Sequence, residues 1–269
     1  MWNSRIDLYK SMTPPLRPDV SEVELLKDTI TQLRASRCGQ PLHVLLLGLT
    51  QEYLLMDWPE DVDLKVIDRS ELMISHFWPG DIAGKRQLVR ADWLSMPFAD
   101  STFDLIIGDG VFNLMSYPDG FGRFAHVLTQ KLRTGGMLWV RVFTQSSPPE
   151  KPEALICEYG RSDSIHYFEF RYRLACSLQE VLPGGFDGTK ETLDRYMVDQ
   201  GISLSELYRK SSFTPPEIPP QVNVPKDLNP VFYPTREQFS DLLADHFSTI
   251  SISHGTHTLA RRTPVFCAS

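Results

Sequence analysis

The amino-acid sequence predicts an α/β protein with a mostly parallel sheet, an antiparallel C-terminal hairpin, and a mostly helical insertion placed before that hairpin. Three observations carry this. Five short apolar runs follow one another between His43 and Phe143, separated by lengths that suit helices or connectors. Three of them have an Asp just past the carboxyl end, the edge of an open α/β sheet where ligands bind. After Phe143 prolines break the rhythm, a helical pattern takes over, and strand-like runs return only near the C-terminus.

The elements read in order. Pro14-Pro15-Leu16-Arg17-Pro18 is an extended, helix-breaking segment. Ser21-Glu22-Val23-Glu24 has the form of a capping box ahead of Leu25, Leu26, Ile30 and Leu33, which share a helical face. That helix stops near Cys38-Gly39-Gln40-Pro41. Strand one is His43 to Leu47, ending at Gly48; strand two is Leu64 to Ile67, ending at Asp68. Strand three is Leu88 to Ala91, before Asp92; strand four is Phe103 to Ile107, before Gly108-Asp109. Leu132 to Gly136 reads as a helix end and tight turn feeding strand five, Met137 to Phe143.

From Ala154 to Arg209 the pattern is helical, and the six prolines between Ser211 and Pro230 suggest a semi-rigid extended connector. Thr235 caps a last helix, and Thr249 to Ser253 with Pro264 to Cys267 forms the closing hairpin. The expected organisation is an N-terminal arm and helix over 1–40, an α/β domain over 41–145 and 231–269, and a helical lid insertion over 146–230. An insertion of that length is unusual for an ordinary connection.

With 269 residues, 42% apolar and 23% charged, the chain is long and apolar enough for a substantial core. No apolar run approaches the roughly 18–20 residues that span a bilayer, and the charged first ten residues do not form a secretory signal. Cys38, Cys157, Cys176 and Cys267 are scattered, as in a reducing cytoplasm. The formal charge of −7 comes without a basic run, which argues against nucleic acid as a partner. His254-Gly255-Thr256-His257 reads as a hairpin tip; no cysteine or carboxylate cluster accompanies it, so no metal site is expected.

The chemistry-bearing residues sit at the strand ends. An Asp closing strand two, here Asp68 in Val66-Ile67-Asp68-Arg69-Ser70-Glu71-Leu72-Met73, can accept both hydroxyls of a ribose; it can also cap the next helix. Asp92-Trp93 follows strand three, then Leu94-Ser95-Met96-Pro97-Phe98, and Phe103-Asp104-Leu105 opens strand four. Gly108-Asp109-Gly110 follows strand four, where glycines let the backbone approach a ligand. Asp109 can orient a substrate amine, take its proton, or serve as a turn residue.

The combined spacing of Asp68, Asp92, Phe103-Asp104 and Gly135-Gly136 resembles the class I S-adenosylmethionine-dependent methyltransferases over about residues 42–145 and 233–269, roughly half the chain. The resemblance implies a Rossmann-like methyltransferase sheet, S-adenosylmethionine as methyl donor, and direct in-line transfer to an acceptor. It implies that Asp92 receives the adenine amino group and that Trp93 lies against the ring. The first loop departs from the family. Leu46 stands where an acid is usual, and Thr50 and Glu52 stand where later glycines would be. That departure suggests altered contacts to the methionine end.

The candidate cofactor residues are therefore Gly48, Leu49, Thr50, Glu52, Asp68, Arg69, Met73, Asp92, Trp93, Asp109 and Gly110, and Asp109 is also the candidate for a catalytic role. Tyr9, Arg17, Tyr117 and His166 are candidate substrate contacts. Tyr159, Tyr167, Phe168, Phe170 and Tyr172 can wall an acceptor pocket or form the insertion's own core. The expected partner is a small-molecule acceptor, with neither nucleic acid nor membrane. The rival functions are an aminopropyltransferase-like enzyme, which would need more carboxylates near strand four, and a non-catalytic S-adenosylmethionine-binding protein. The sequence leaves open the acceptor, the methylated atom and the oligomeric state.

Overall fold

The computed structural model describes residues 3–37, 39–182, 186–187, 190–214 and 231–269. Cys38 and the proline-rich connector beyond residue 214 lie outside them. The described residues form a seven-stranded sheet in the order β3-β2-β1-β4-β5-β7-β6. Strands β1 (Leu42–Leu47), β2 (Val62–Asp68), β3 (Arg86–Arg90), β4 (Phe103–Asp109) and β5 (Leu132–Arg141) run parallel. The expected hairpin supplies β6 (Ile250–Ser253) and β7 (Val265–Ala268), with β7 antiparallel to both β5 and β6.

The apolar runs form strands because the sheet is covered on both faces, and alternate side chains serve alternate layers. Leu45, Leu47, Ile106, Leu138 and Val140 face a layer that includes α5 (Asp119–Lys131) and α10 (Arg236–Ala244). α5 meets them with Phe121, Phe124, Ala125 and Leu128, one stripe at helical spacing. Val44, Leu46, Leu64, Val66, Leu105 and Trp139 face the other layer. Ile6 of α1 (Asn3–Ser11), α2 (Val20–Ser36), α3 (Gln51–Leu54) and α4 (Glu71–Phe77) pack there.

Several boundaries move. The N-cap of α2 is Asp19, not Ser21: Glu22 donates its amide to the Asp19 carboxylate and accepts the Asp19 amide in return. The helix begins at Val20, which puts Ser21 inside the first turn, where its hydroxyl accepts from the Thr256 amide. β3 starts and ends earlier than its apolar residues suggest, because it is a half-exposed edge strand. β4 continues through Asp109, so that residue ends a strand instead of following one. Leu132 already pairs with Phe103, and the expected turn at Gly135 is a bulge within β5. The Asp of Phe103-Asp104-Leu105 is structural. Buried at the start of β4, it accepts from the His43 amide and Arg133 and pairs with Arg37.

The insertion contributes α6 (Pro152–Arg161), α7 (Tyr167–Leu178), α8 (Lys190–Asp199) and α9 (Leu204–Ser211) around an aromatic cluster of their own. Leu8, Met12 and Leu16 of the N-terminal arm pack against that cluster. The Tyr172 hydroxyl, 2.7 Å from the Thr144 carbonyl and 2.6 Å from that of Arg262, ties α7 to the sheet. Glu150 adds a clamp by pairing with both Arg173 and Arg262. Thr235 caps α10 in a full capping box with Gln238, as expected. Among the described residues no helix is long and apolar enough to cross a membrane.

Candidate active site

The strand order reverses between β1 and β4, and a cavity of about 380 Å³ opens at the carboxyl ends of the strands around this point. This is where open α/β sheets bind ligands, and the volume lies within the roughly 300–1,000 Å³ of small-molecule sites. Gly48, Leu49, Thr50, Asp68, Arg69, Met73, Asp92, Trp93 and Asp109 all line it, and so does Tyr9 of α1.

Gly48 takes a φ of +84°, a left-handed conformation that favours glycine. A β-carbon there would lie 3.6 Å from the Trp93 ring and 3.9 Å from Asp68 Oδ2, so glycine keeps the space between a wall and a carboxylate open. Trp93 is a fixed wall, since its Nε1 donates to the Ile67 carbonyl at 3.0 Å. Asp68 Oδ1 accepts from the Ser70 amide at 2.7 Å, a bond that holds the carboxylate at the end of β2. Burial raises the Asp68 carboxyl above its ordinary value, against the backbone amides of Ser70 and Arg69, which lower it.

Asp92 caps a short 3-10 turn through Oδ1, which accepts from Leu94, while Oδ2 pairs with Arg69 at 2.6 Å. Arg69 is exposed and Asp92 partly so. Such pairs contribute about 0–1 kcal/mol, so Arg69 can swing aside for a ligand amine at little cost. Thr50 is the N-cap of α3 but makes no capping bond. Its hydroxyl turns to Asp109 Oδ2 at 3.4 Å.

Asp109 belongs to a buried charged network that the strand pattern did not reveal. Arg141 of β5, with no exposed side-chain surface, donates from Nε to Asp109 Oδ1 at 2.7 Å and from Nη1 to the Pro15 carbonyl at 2.9 Å. Glu22 of α2 lies 3.6 Å from the same Nη1, and His257 lies 3.5 Å from Glu22. Burial pushes the Asp109 carboxyl up, and Arg141 opposes it without cancelling the rise. Burial disfavours the Arg141 charge, but Asp109 and Glu22 outweigh it, and its pKa rises. A lone Arg in an otherwise apolar strand end, Trp139-Val140-Arg141-Val142, was the available signal for this network.

Five candidates do not reach the cavity wall. Glu52 is taken by Arg17 in an ion pair of 2.7 Å. Arg17 in turn lies 4.5 Å from the Tyr9 ring centre and donates to the Tyr9 carbonyl, so it stands behind Tyr9 and positions it. Gly110, φ +63°, packs so closely on Phe143 that a β-carbon would lie 2.5 Å from that ring. Tyr117 stacks flat on Phe232 with ring centres 4.1 Å apart, because a core of phenylalanines stands beside it. His166 is the N-cap of α7: its Nδ1 accepts from the Glu169 amide, a role set by the start of the helix. The lining residues not anticipated are Leu47, Ser70, Leu94, Val111, Leu114 and Met115. The apolar stretch after Gly110 was the signal for the last three. No insertion side chain among the described residues lines this cavity. Among the same residues, no group of three or more His, Cys, Asp or Glu side chains could hold a metal ion.

No protein-family model and no curated protein matches the sequence. Solved structures match by fold. The CurJ carbon methyltransferase gives a TM-score of 0.49 at 14% identity over 91% of this chain and 53% of its own, so this chain spans about half of that structure. The Burkholderia thailandensis 1,6-didemethyltoxoflavin-N1-methyltransferase, solved with 1,6-didemethyltoxoflavin and S-adenosylhomocysteine, gives 0.49 at 12% identity over 99% of this chain and 82% of its own. A Rhodobacter sphaeroides structure named as a Zn-dependent alcohol dehydrogenase gives 0.51 at 15% identity over 94% and 91%. Of these three scores one reaches 0.5, and at 15% identity that likeness is one of fold alone. The parallel strands β1 to β5, closed by the antiparallel β6–β7 pair, give this chain the class I methyltransferase fold.

Proposed function

We propose that this protein is an S-adenosylmethionine-dependent methyltransferase acting on a small-molecule acceptor by direct in-line transfer. The observation that carries the reading is the convergence of Gly48, Asp68 and Trp93 on one cavity at the reversal of strand order. When bound, the donor supplies an electrophilic methyl carbon on its sulfonium. Asp68 accepts the ribose hydroxyls, Gly48 leaves the adenosine face clear, and Trp93 supplies a flat wall. Asp92 takes the adenine amine once Arg69 moves aside. At the far end the Asp109 carboxylate, held by Arg141, presents Oδ2 toward an ammonium group or a substrate amine. Alignment is the main requirement, since holding donor and nucleophile in line supplies much of the rate. A base is needed only for an acceptor that arrives protonated, and the burial that raises Asp109 suits it to take such a proton.

In this reading 41–145 and 231–269 bind the donor, 1–40 form an arm that closes the cavity through Tyr9, and 146–230 hold that arm in place. The contacts of Leu8, Met12 and Leu16 with the insertion's aromatic cluster support the last assignment. The acidic balance and the absence of a basic run support a small acceptor over nucleic acid. A cytoplasmic setting suits the scattered cysteines, of which Cys157, Cys176 and Cys267 are free thiols.

A donor-binding protein without turnover is the second reading, favoured by Leu46, Thr50 and Glu52 in the first loop and by the engagement of Glu52 with Arg17. A thermal-shift panel separates the readings. The strongest stabilisation by S-adenosylhomocysteine, with label transferred to a metabolite fraction, is the expected result. Stabilisation without transfer to any fraction supports the second reading, and preference for decarboxylated S-adenosylmethionine supports aminopropyl transfer. No response to any adenosyl ligand overturns both donor-binding readings.

A further inference from the structure

A separate cavity of about 120 Å³ lies between the arm and the insertion. Tyr9 of α1 faces the Asp68 cavity, while Leu8 of the same helix and Met12 just beyond its end face this one, so α1 stands between the two. Phe168 and Tyr172 of α7, Phe186, Leu193 of α8, and Tyr233 are among its apolar walls. Cores normally pack without such voids, and an apolar cavity of about 150 Å³ is enough to hold one benzene. At about 120 Å³ this one is slightly smaller, which limits a guest to a single ring, and aromatic walls favour an aromatic guest through edge-on and offset contacts.

Two cations mark the polar end. Arg171 and Lys190 both line the cavity, and both pair with the single carboxylate of Asp194. Arg171 also donates to the Lys190 carbonyl at 3.3 Å, and Lys190 lies 3.4 Å from the Tyr208 hydroxyl. This group of three side chains carries one surplus positive charge. Tyr167 also lines the cavity, its buried hydroxyl completes no hydrogen bond of normal geometry, and Arg171 lies 5.3 Å from its ring centre. Burial raises its pKa, against Arg171, so it remains a donor. A buried donor and a surplus cation, both at the edge of a ring-sized apolar space, are complementary to a carboxylate carried on a ring.

We propose that this cavity is a binding site for a small single-ring aromatic acid, with the ring against Phe168, Tyr172 and Tyr233 and the carboxylate on Lys190, Arg171 and the Tyr167 hydroxyl. The proposal concerns binding and does not rest on the methyl-transfer reading. The probe is 4-fluorobenzoate, followed by fluorine NMR, with fluorobenzene as the uncharged comparison. Ala175→Phe fills the cavity from α7, and Leu8→Trp fills it from the arm should the first variant fold poorly. Lys190→Met removes the surplus charge. Circular dichroism and S-adenosylhomocysteine titration check each variant for fold and for the donor cavity. The expected result is saturable binding of 4-fluorobenzoate, weakened at least tenfold by a filling variant and about fivefold by Lys190→Met. Fluorobenzene should bind more weakly and be indifferent to Lys190→Met. Three results would overturn the proposal: no saturable binding to the unaltered protein, binding untouched by a filling variant that folds, or equal binding of acid and fluorobenzene.

Discussion

Replacing Arg141 with Met removes the one guanidinium that Asp109, Glu22 and the Pro15 carbonyl share, while keeping a long apolar side chain in the strand. The structure sets the size of the effect. Arg141 has no exposed side-chain surface, Glu22 has none, and Asp109 is 8% exposed, at the cavity wall alone, so water cannot replace the guanidinium between them. Removing one partner of such a buried pair costs about 3–5 kcal/mol, because the other charge stays behind uncompensated. Against a typical total of roughly 5–15 kcal/mol, the variant should fold but be clearly weakened.

The loss should depend on pH in a definite direction. Asp109 already has a raised folded value with Arg141 in place, and without Arg141 that value climbs further. A raised folded carboxyl holds its proton where the unfolded chain has released it, so stability falls as pH rises from the unfolded value through the folded one. The gap between Arg141→Met and the unaltered protein should therefore shrink on going from pH 7 to pH 5. Asp109→Asn added to Arg141→Met should recover part of it by removing one stranded charge. Urea unfolding at the two pH values, with unchanged slopes, measures all of this. A loss below about 1 kcal/mol at pH 7, or an equal loss at both pH values, would refute the argument that this network is a buried charge knot.

Asp68→Ala should weaken S-adenosylhomocysteine binding by roughly ten- to a hundredfold, the equivalent of about 1.5–3 kcal/mol for charged-acceptor hydrogen bonds, and calorimetry showing unchanged affinity in a folded variant would remove Asp68 from the site. Because the folded Asp68 carboxyl is raised above 3.8, affinity in the unaltered protein should fall on acidification at a pH higher than an ordinary Asp would give, while this group's own contribution to stability moves the opposite way; titrations across that interval read both. Gly110→Ala combines a left-handed φ of +63° with a contact 2.5 Å from the Phe143 ring, so it should cost more than the about 1–2 kcal/mol of the backbone alone; Phe143→Leu should relieve part of that in a double-mutant cycle. Hydrogen exchange should show residues 6–17 more protected in the S-adenosylhomocysteine complex and more open in Glu52→Gln, which breaks the pair with Arg17; no change in either would argue against an arm that closes through Tyr9.

What the sequence determined by itself was the sheet and the carboxyl edge at which the cavity opens. Runs such as Leu42–Leu47 and Phe103–Asp109 are apolar on both faces, a composition stable only where layers cover both sides, and a carboxylate at the end of β2 or β3 has few places to point except over that edge. The places of Asp68, Asp92 and Trp93 on the cavity wall were legible for that reason, since each is set by the strand immediately before it. Tertiary structure decided everything that joins distant segments. Arg141 meets Pro15 across 126 residues, and Asn113 donates to the Phe232 carbonyl across 119, contacts that no local spacing encodes. Whether Tyr117 faces a ligand or a stack of rings depends on where Phe232 returns. Whether Glu52 is free for a ligand depends on where the arm lays down Arg17. Local propensity acts over a few residues, but burial and charge compensation act through space. The residues that surround a buried Asp109 were therefore chosen by the folded packing and not by their neighbours in the chain.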